Sequence, residues 1–364
     1  MDAAADTVSL CLAVWNEERH IGETLESIRR QTHRAIEVHI FDNASTDGTA
    51  AICRDFLADA RFRYHRNAAN IGAVRNFNRV HSVASGDFVV PFSGNDVLEP
   101  TYVERLLEPM RRDPRTGLVA AQLAPIDESS MPLPEGRWMP GPMFVTDCSD
   151  PVAAATTVIR EWQYPNYYFG LYRRSVMERL QPQRFLFGAD AAFVCELSLY
   201  AHIRAVDAPL LRLRRHERPQ VAHVARAFSE GALYGVAENS LFARFERLTP
   251  HIDFTWALIE MFSLAGVTDA QRHDLSRAAI SIQRKRYGAL IAEEAKALAA
   301  AARATEPLWG RPALRLPRML LGRRLLERVS RALVVLPRNP DLREICPQLA
   351  AALAAADGAP ADAA

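Results

Sequence analysis

Hydrophobic positions in the first part of the chain alternate between strand-like runs and helical faces. The apolar run at 8–14 has the length of a strand, and residues 20–31 after it carry Ile21, Leu25 and Ile28 at helical spacing. The alternation continues through this region and predicts βαβ units that build a mostly parallel sheet with helices on both faces. Further strands are predicted at 36–41, 61–65, 88–92 and 118–122, and further helices from residue 47, at 71–84 and at 101–112.

Polar side chains follow three of these predicted strands at the point where each strand ends. Residues 15–17 follow the first strand, residues 42–45 follow the second, and residues 93–96 follow the fourth. In an open parallel sheet the ligand lies in the crevice outside the carboxyl ends of the strands. We therefore expect the three clusters to meet in one ligand-binding crevice.

The rest of the chain changes character twice. Residues 124–150 are rich in Pro, Met and Gly and predict a long surface loop or hairpin near the crevice. Helices are predicted at 151–161 and 191–202, and beyond His216 the pattern becomes almost purely helical. These changes predict an α/β domain over 1–217, a helical domain over 218–354 and a frayed tail over 355–364.

Composition places the chain among ordinary globular proteins. Hydrophobic residues make up 49% and charged residues 24%, and 44 Lys and Arg against 43 Asp and Glu leave a net charge of +1. This balance gives no electrostatic reason to bind nucleic acid. No apolar run reaches the roughly 18 residues of a transmembrane helix, and the opening residues lack the basic stretch of a signal peptide. We therefore expect a cytoplasmic location.

The five cysteines lie far apart and include no CxxC pair. A dispersed, odd-numbered set is typical of buried thiols in a reducing compartment. The spacing predicts neither a disulfide framework nor a structural zinc site.

Seven strings of residues carry a resemblance to a known family. In chain order they are TVSLCLAVWNEERHIGETLESIRRQT, IEVHIFDNASTDGT, NAANIGAVRNFN, ASGDFVVPFSGNDVLEP, GLYRRS, GAD and RRH. Their order over residues 7 to about 216 resembles that of family 2 glycosyltransferases of the GT-A fold. The resemblance implies a Rossmann-like α/β domain, here followed by an α-helical extension. It also implies an inverting enzyme that moves a sugar from a nucleotide diphosphate donor to an acceptor.

The family's pattern places the nucleotide base near Trp15, Asp42 and Asn43. Trp15 stands where the family has a tyrosine, and its ring can stack on a base. Asn43 stands where uridine-binding members carry an acid, and its amide oxygen can still accept an N–H from the base. The alternative is structural: Trp15 belongs to the core and Asp42 forms a turn.

The residues expected around a metal ion, here called the metal corner, depart from the family pattern. Residues 93–96 are Ser-Gly-Asn-Asp where an Asp-x-Asp-Asp motif is expected. The resemblance implies a Mg²⁺ or Mn²⁺ ion held by Asn95, Asp96 and His216, and diphosphate contacts from Arg214 and Arg215. Alternatively, Asp96 is an N-terminal residue of the next helix, His216 is a surface or packed residue, and the arginines end an exposed strand.

The resemblance assigns the catalytic base to Asp190, the last residue of the GAD string. Inverting transfer needs one carboxylate to take the proton of the acceptor hydroxyl. Asp190 also precedes an apolar helical run, so a helix N-cap is the structural alternative. Ala189 stands where the family commonly has Glu.

The implied donor is a UDP-, dTDP- or GDP-sugar, and the implied acceptor is a glycan or lipid-linked precursor of the cell envelope. A catalytically degenerate binding or scaffold subunit is one alternative, and a metal-independent transferase is another. The residues expected to line the donor site are Ala13, Trp15, Asn16, Glu17, Asp42, Asn43, Ser45, Asn70, Gly72, Arg75, Asn76, Ser93, Gly94, Asn95, Arg214 and Arg215.

Residues 308–338 are dense in arginine and contain one acid, Glu327. An amphipathic basic pair of helices here would contact an anionic membrane. Pro312, Pro317 and Gly322 interrupt such a face, which favours a helical subdomain or a homodimer surface instead.

Overall fold

The computed structural model describes six stretches of the chain, and the chain divides into two compact units, Met1–Glu238 and Asn239–Ala364. The predicted boundary between residues 217 and 218 and the predicted tail at 355–364 lie outside the described residues. The described stretches are 6–79, 83–134, 142–163, 165–183, 188–215 and 250–305.

The first unit is built on one sheet. Its strands are β1 (Val8–Val14), β2 (Ile36–Asp42), β3 (Phe62–Arg66), β4 (Phe88–Ser93), β5 (Val97–Leu98), β6 (Thr116–Ile126), β7 (Leu171–Arg173) and β8 (His202–Arg214). They form an eight-stranded sheet in the order β3-β2-β1-β4-β7-β6-β8-β5. Strands β1 to β4 are parallel where they pair, and β6 is parallel to β8. β7 runs antiparallel to β4 and β6, and β5 runs antiparallel to β8.

Helices connect and cover these strands. They are α1 (Ile21–Arg29), α2 (Thr49–Asp55), α3 (Ala73–Asn78), α4 (Tyr102–Arg112), α5 (Pro151–Glu161), α6 (Arg174–Met177) and α7 (Ala189–Ser198). The apolar face that the spacing predicts for α1 is fully buried, at Ile21, Leu25 and Ile28. α5 begins where Asp150 accepts a hydrogen bond from the backbone N–H of Ala153 at 3.0 Å.

The core of this unit lies around β1 and β4. Leu10, Cys11 and Leu12 follow one another along β1 and are all fully buried. Successive side chains of a strand point to opposite faces, so burial of three in a row requires cover on both faces. The carboxyl ends of these central strands are therefore the open edge at which loops can form a site.

The prediction of a helix over 191–202 is wrong at its carboxyl end. α7 ends at Ser198, and His202 is the first residue of β8, a 13-residue strand that the sequence patterns did not reveal. β8 has irregular register with β6, and it contains Pro209 and the exposed Asp207. These features hide the alternation that identifies a strand.

The described part of the second unit consists of α8 (Pro250–Leu264) and α9 (Asp269–Thr305). α9 is kinked at Tyr287, whose φ of −130° is not helical. Leu258 and Phe262 of α8 are fully buried, as is Leu275 of α9. Across the described stretches, no helix has both the length and the apolar character needed to span a bilayer.

Candidate active site

Two of the predicted polar clusters meet at the carboxyl ends of β1 and β2. Val14 and Asp42 are partners in the parallel register, and the backbone N–H of Asn43 donates to the Val14 carbonyl at 2.9 Å. The Ser45 hydroxyl accepts the Asn16 backbone N–H at 3.0 Å. The side-chain oxygen of Asn16 in turn accepts the Thr46 backbone N–H at 2.8 Å. These bonds lock the turn after β1 to the turn after β2.

The third cluster, at 93–96, packs on the same edge. Ser93 ends β4 opposite Ala13 of β1. A Cβ added to Gly94 would lie 2.8 Å from Cγ1 of Val14 and 3.2 Å from Cγ of Glu17, so only glycine allows this approach. The expected convergence of the three clusters is therefore what the structure shows.

Asp42 is a fully buried acid with three partners. Its carboxylate accepts the backbone N–H of Ser45 at 2.8 Å, the Tyr64 hydroxyl and the Arg66 guanidinium. Arg66 also donates to the Ser45 carbonyl at 2.7 Å. The carboxylate thus holds the turn after β2, as the structural alternative for Asp42 requires. Trp15, its predicted neighbour at the base, is partly exposed.

Both the oxygen and the nitrogen of the Asn43 side-chain amide form hydrogen bonds within the protein. Its oxygen accepts the Asn67 side-chain N–H at 2.8 Å and the Ile71 backbone N–H at 2.9 Å. Its nitrogen donates to the side-chain oxygen of Asn70 at 2.7 Å. Because a carboxylate cannot donate, an acid at this position could not make the bond to Asn70. Asn43 therefore anchors the loop at 67–72 to β2.

The loop at 67–72 leads into α3 through an unusual backbone. Gly72 has a φ of 83°, which favours glycine, and its N–H donates to Asn70 at 2.8 Å. Asn76 is buried and donates from its amide to the Phe41 carbonyl at 2.8 Å. Arg75, the other residue predicted here, is exposed. Sequence reasoning missed Asn67, whose amide links Asn43 to Asn76 at 2.8 and 3.0 Å.

Glu17 is a largely enclosed acid beside other acids. Burial raises the pKa of its carboxyl to about 7, the Asp96 and Asp47 carboxylates add to the rise, and Arg214 opposes it. Its backbone N–H donates to the Thr49 hydroxyl at 2.8 Å. Any cation that approaches this carboxyl group will favour its ionised form.

Asp96 precedes β5 and not a helix, so the alternative that made it an N-terminal helix residue is wrong. Its buried carboxylate accepts the Arg214 backbone N–H at 2.8 Å and the Ser93 hydroxyl at 2.5 Å. Its carbonyl accepts the hydroxyl of Thr24 at 2.8 Å. Asp96, the last residue of the cluster at 93–96, therefore joins β4, β8 and α1.

Arg214 ends β8 with a fully buried guanidinium group. It donates to the Asn95 carbonyl at 2.8 Å, the Asp127 carbonyl at 2.9 Å and the Ser130 hydroxyl at 3.0 Å. It also pairs with the Glu23 carboxylate at 2.7 Å, a partner that the sequence did not suggest. Through these contacts the Arg214 side chain links the end of β8 to α1, to the turn after β4 and to residues 127–130.

Two further predicted site residues follow Arg214 in the chain. Arg215 is partly buried, and its backbone N–H donates to the Ile126 carbonyl at 2.8 Å. His216 lies outside the described residues.

Asp190 lies in the first turn of α7, and the N-cap position belongs to Gly188, whose φ is 75°. One oxygen of Asp190 accepts the Ala191 backbone N–H at 2.9 Å. Burial raises the pKa of the Asp190 carboxyl, and this carboxyl interacts electrostatically with Tyr168 and Tyr172. Asp190 is thus a carboxyl group with a raised pKa in the first turn of a helix.

The aromatic residues near Asp190 connect it with the cluster at 93–96. The rings of Tyr168 and Phe169 lie 5.5 Å apart between centroids, and Phe169 lies 5.8 Å from Phe92. Phe92 directly precedes Ser93 at the end of β4. A chain of aromatic contacts thus links the surroundings of Asp190 with the end of β4.

A mostly parallel sheet with polar turns at its carboxyl edge is an open α/β architecture, and comparison with solved structures identifies the fold. S. aureus TarS, residues 1–349, in complex with UDP-GlcNAc superposes with a TM-score of 0.58 at 15% sequence identity, over 97% of this chain and 92% of that one. The first unit therefore has the GT-A fold.

The sequence comparisons show similarity to one family of enzymes. Residues 9–153 match the profile of glycosyl transferase family 2. The chain is 28% identical over 244 residues to putative glycosyltransferase EpsH of Bacillus subtilis, covering 65% of this chain and 68% of the relative. It is 37% identical over 95 residues to abequosyltransferase RfbV of Salmonella typhimurium, covering 25% of this chain and 28% of the relative. Over residues 9–153 the chain is therefore similar to family 2 glycosyltransferases, and this similarity supports glycosyl-transfer activity.

Proposed function

We propose that the protein is an inverting glycosyltransferase that binds a nucleotide diphosphate sugar at the carboxyl edge of its sheet. The observation that carries this proposal is the meeting of the clusters at 15–17, 42–45 and 93–96 at one edge of the sheet. Hydrogen bonds join the first two clusters, and close packing of Gly94 on Val14 and Glu17 brings in the third. A UDP-GlcNAc complex of the TarS structure that shares this fold supports a donor of that class.

In this proposal the base lies against Trp15, and the Asn43 network shapes the wall beside it. The lone pairs of the Asn43 oxygen are taken by Asn67 and Ile71. Base recognition therefore depends on the loop that Asn43 holds in place. This arrangement is compatible with a UDP-, dTDP- or GDP-sugar.

The residues of the metal corner fit a divalent cation. Glu17 and Asp96 place two carboxylates close enough for one to raise the pKa of the other, and a cation between them would relieve that repulsion. Together with the Asn95 side chain they offer the oxygen ligands that Mg²⁺ or Mn²⁺ prefers. When bound, such an ion supplies positive charge for the leaving diphosphate.

Asp190 acts as the general base in the proposed reaction. The acceptor oxygen forms a bond to the anomeric carbon as the bond from that carbon to the diphosphate breaks, and the hydroxyl proton passes to the Asp190 carboxylate. A raised pKa makes the Asp190 carboxylate a stronger base than an exposed aspartate. The acceptor in this proposal is a glycan or lipid-linked precursor of the cell envelope.

We place the enzyme in the cytoplasm, with a peripheral membrane contact or a homodimer formed through its C-terminal helices. The arginine-dense segment at 308–338 motivates this part of the proposal, and it lies outside the described residues. Vesicle co-sedimentation and analytical ultracentrifugation of the full chain distinguish the two contacts.

Titration calorimetry with UDP, dTDP and GDP, each with and without Mn²⁺, tests the donor site. We expect one nucleotide to bind, with an affinity that rises at least about tenfold with the metal. Equal binding without Mn²⁺ would instead identify a metal-independent transferase. Binding of none of the three would contradict the enzyme proposal and favour a degenerate scaffold subunit.

The substitution Asp190→Asn tests the base. Turnover should fall by about 100-fold or more, because an amide cannot accept the hydroxyl proton, while the nucleotide affinity stays at the wild-type value. Asp274→Asn, at an exposed position of α9, is the control and should change neither quantity. Normal turnover in Asp190→Asn would remove Asp190 from the mechanism.

A further inference from the structure

A second cluster of metal-ligating side chains lies at the amino ends of β6 and β8. It consists of Asp147, Cys148 and His202, whose ligand atoms all lie within 4.8 Å of one another. His202 is fully buried at the start of β8, where it pairs with Thr116 of β6. The segment that carries Asp147 and Cys148 is attached to β8 by a backbone hydrogen bond of 3.1 Å from Thr146 to the Ile203 carbonyl.

The spacing of the ligand atoms is close to that of a tetrahedral zinc site. Nδ1 of His202 and Oδ1 of Asp147 lie 3.4 Å apart. With bonds of about 2.0–2.3 Å to a tetrahedral zinc ion, neighbouring ligand atoms are about 3.3–3.6 Å apart. The nitrogen and the oxygen therefore already stand at the required separation. The thiol of Cys148 lies within 4.8 Å of the other two ligand atoms and needs to move by about 1.5 Å at most.

The hydrogen bonds of His202 fix the tautomer that a metal at Nδ1 requires. Nδ1 accepts the backbone N–H of Cys148 at 3.0 Å, so the ring proton is on Nε2. Nε2 is buried and has no hydrogen-bond partner among the described residues. The nearest carboxylate oxygen, Oδ2 of Asp113, is 3.8 Å away.

Asp113 therefore stands where metal-binding histidines have a supporting carboxylate. Such a carboxylate accepts the second ring N–H and orients the imidazole toward the ion. Two arginines, Arg115 and Arg204, lie 3.5 Å from Asp113 and stabilise its charge. This arrangement gives the otherwise unsatisfied Nε2 a role.

We propose that Asp147, Cys148 and His202 bind a Zn²⁺ ion, with water as its fourth ligand, at a site that is separate from the donor site. A set of nitrogen, sulfur and oxygen ligands suits zinc, whereas Mg²⁺ and Ca²⁺ take oxygen ligands. The exposed carboxylate of Asp147 and the partly exposed thiol of Cys148 give the ion access from solvent. On binding, the ion takes the lone pair of Nδ1 from the Cys148 N–H, and the thiol proton leaves to solvent.

The site is too far from the donor crevice to take part in transfer. β8 runs 13 residues from His202 to Arg214, which at about 3.3 Å per residue amounts to roughly 35–40 Å. The ion would instead tie the segment before α5 to the first residue of β8. The cysteine spacing predicted no zinc site because the ligands come from residues that are distant in sequence and include a single cysteine.

Zinc binding to the full-length protein tests the proposal. The protein is stripped with a chelator, dialysed and titrated with ZnCl₂, and its melting temperature is recorded. We expect one zinc ion per chain and a rise in Tm of about 5 °C or more when free zinc is about 100-fold above Kd. In the Co²⁺ form, a thiolate-to-cobalt charge-transfer band should appear.

Three variants locate the ion. Cys148→Ser and Asp147→Asn should each weaken zinc binding at least about tenfold, and Cys148→Ser should also lose the charge-transfer band. The control Asp207→Asn changes an exposed carboxylate on the same strand and should bind as wild type. Asp147 is largely exposed, so Asp147→Asn keeps the test valid even when Cys148→Ser fails to fold.

Two results would overturn the proposal. One is wild-type zinc affinity in Asp147→Asn together with an unchanged charge-transfer band in Cys148→Ser. The other is the absence of any zinc-dependent rise in Tm of the wild-type protein. Both readouts are independent of sugar transfer, so they do not depend on the function proposed above.

Discussion

Two acids near the ends of neighbouring strands, Asp42 as the last residue of β2 and Glu17 in the turn after β1, lie in very different surroundings. Asp42 is fully buried and receives hydrogen bonds from Ser45, Tyr64 and Arg66. Glu17 is enclosed beside the like charges of Asp96 and Asp47, and its pKa rises to about 7. The Asp42 carboxylate is thus compensated by hydrogen-bond donors, whereas the Glu17 carboxyl group lies beside other negative charges.

This difference separates residues that hold the site from residues that can act in it. A saturated carboxylate stabilises the turn it sits in and has little capacity left for a ligand. An acid crowded by other acids is destabilised in its charged form and gains from a bound cation. The comparison therefore predicts opposite outcomes when each acid is neutralised.

The largest effect is expected for Asp42→Ala. The substitution leaves the Arg66 guanidinium and the Tyr64 hydroxyl without their acceptor, so the free energy of unfolding should fall by about 3 kcal/mol. Urea denaturation at pH 7 measures this change. Asp59→Ala removes the partner of Arg61, and because the Asp59 carboxylate is partly exposed where that of Asp42 is buried, it should cost less than about 1 kcal/mol. Equal losses in the two variants would show that Asp42 is not the structural acid of the edge.

A smaller effect with the opposite sign is expected for Glu17→Gln. The folded-state pKa of about 7 lies above the ordinary value of 4.5, so the stabilising contribution of the Glu17 carboxyl is complete below pH 4.5 and is lost as the pH rises to about 7. Glutamine carries no charge to lose. At pH 8 the variant should therefore be more stable than wild type by about 2 kcal/mol, with little difference at pH 4.5.

Urea denaturation at pH 4.5, 6 and 8 measures the pH dependence of Glu17→Gln. Glu108→Gln, at an exposed position of α4, is the matched control and should follow wild type at every pH. Mn²⁺-dependent nucleotide binding should weaken in Glu17→Gln although the fold is more stable. A variant that is less stable than wild type at pH 8 would show that Glu17, like Asp42, is a matched carboxylate.

Much of the first half of the sheet could be predicted from the sequence. Val8–Val14 is a strand at the predicted bounds, and the polar clusters after β1, β2 and β4 do converge. These features depend on local patterns, such as continuous apolar runs and turn residues, and on the general rule that parallel strands share a carboxyl edge.

The second half of the sheet and the partners of the site residues could not be predicted in this way. β8 is interrupted by Pro209 and pairs irregularly with β6, so its pattern is not that of a regular strand. The pairing of Arg214 with Glu23 joins residues that are 191 positions apart in the sequence. Neither a local period nor a motif encodes such a contact. The family pattern suggests that Asn43 contacts the base, and nothing in the sequence indicates that its amide nitrogen donates to Asn70.

The smallest effect is expected for Asn43→Asp, which restores the acid that the family pattern leads one to expect. The substitution replaces the donor to Asn70 with an oxygen, so two acceptors face each other, and unfolding should become easier by about 1–2 kcal/mol. Asn70→Asp is the matched control, because it keeps an acceptor for both the Asn43 amide and the Gly72 N–H. It should stay within about 0.5 kcal/mol of wild type.

Calorimetry with UDP distinguishes the two interpretations of Asn43. If Asn43 anchors the loop at 67–72, the affinity of Asn43→Asp for UDP should fall, because the loop beside the base loses a bond to β2. A gain in UDP affinity with unchanged stability would instead show that position 43 contacts the base directly. In that case the amide would be a recognition group, and the contrast between matched and unmatched side chains at this edge would hold for Asp42 and Glu17 alone.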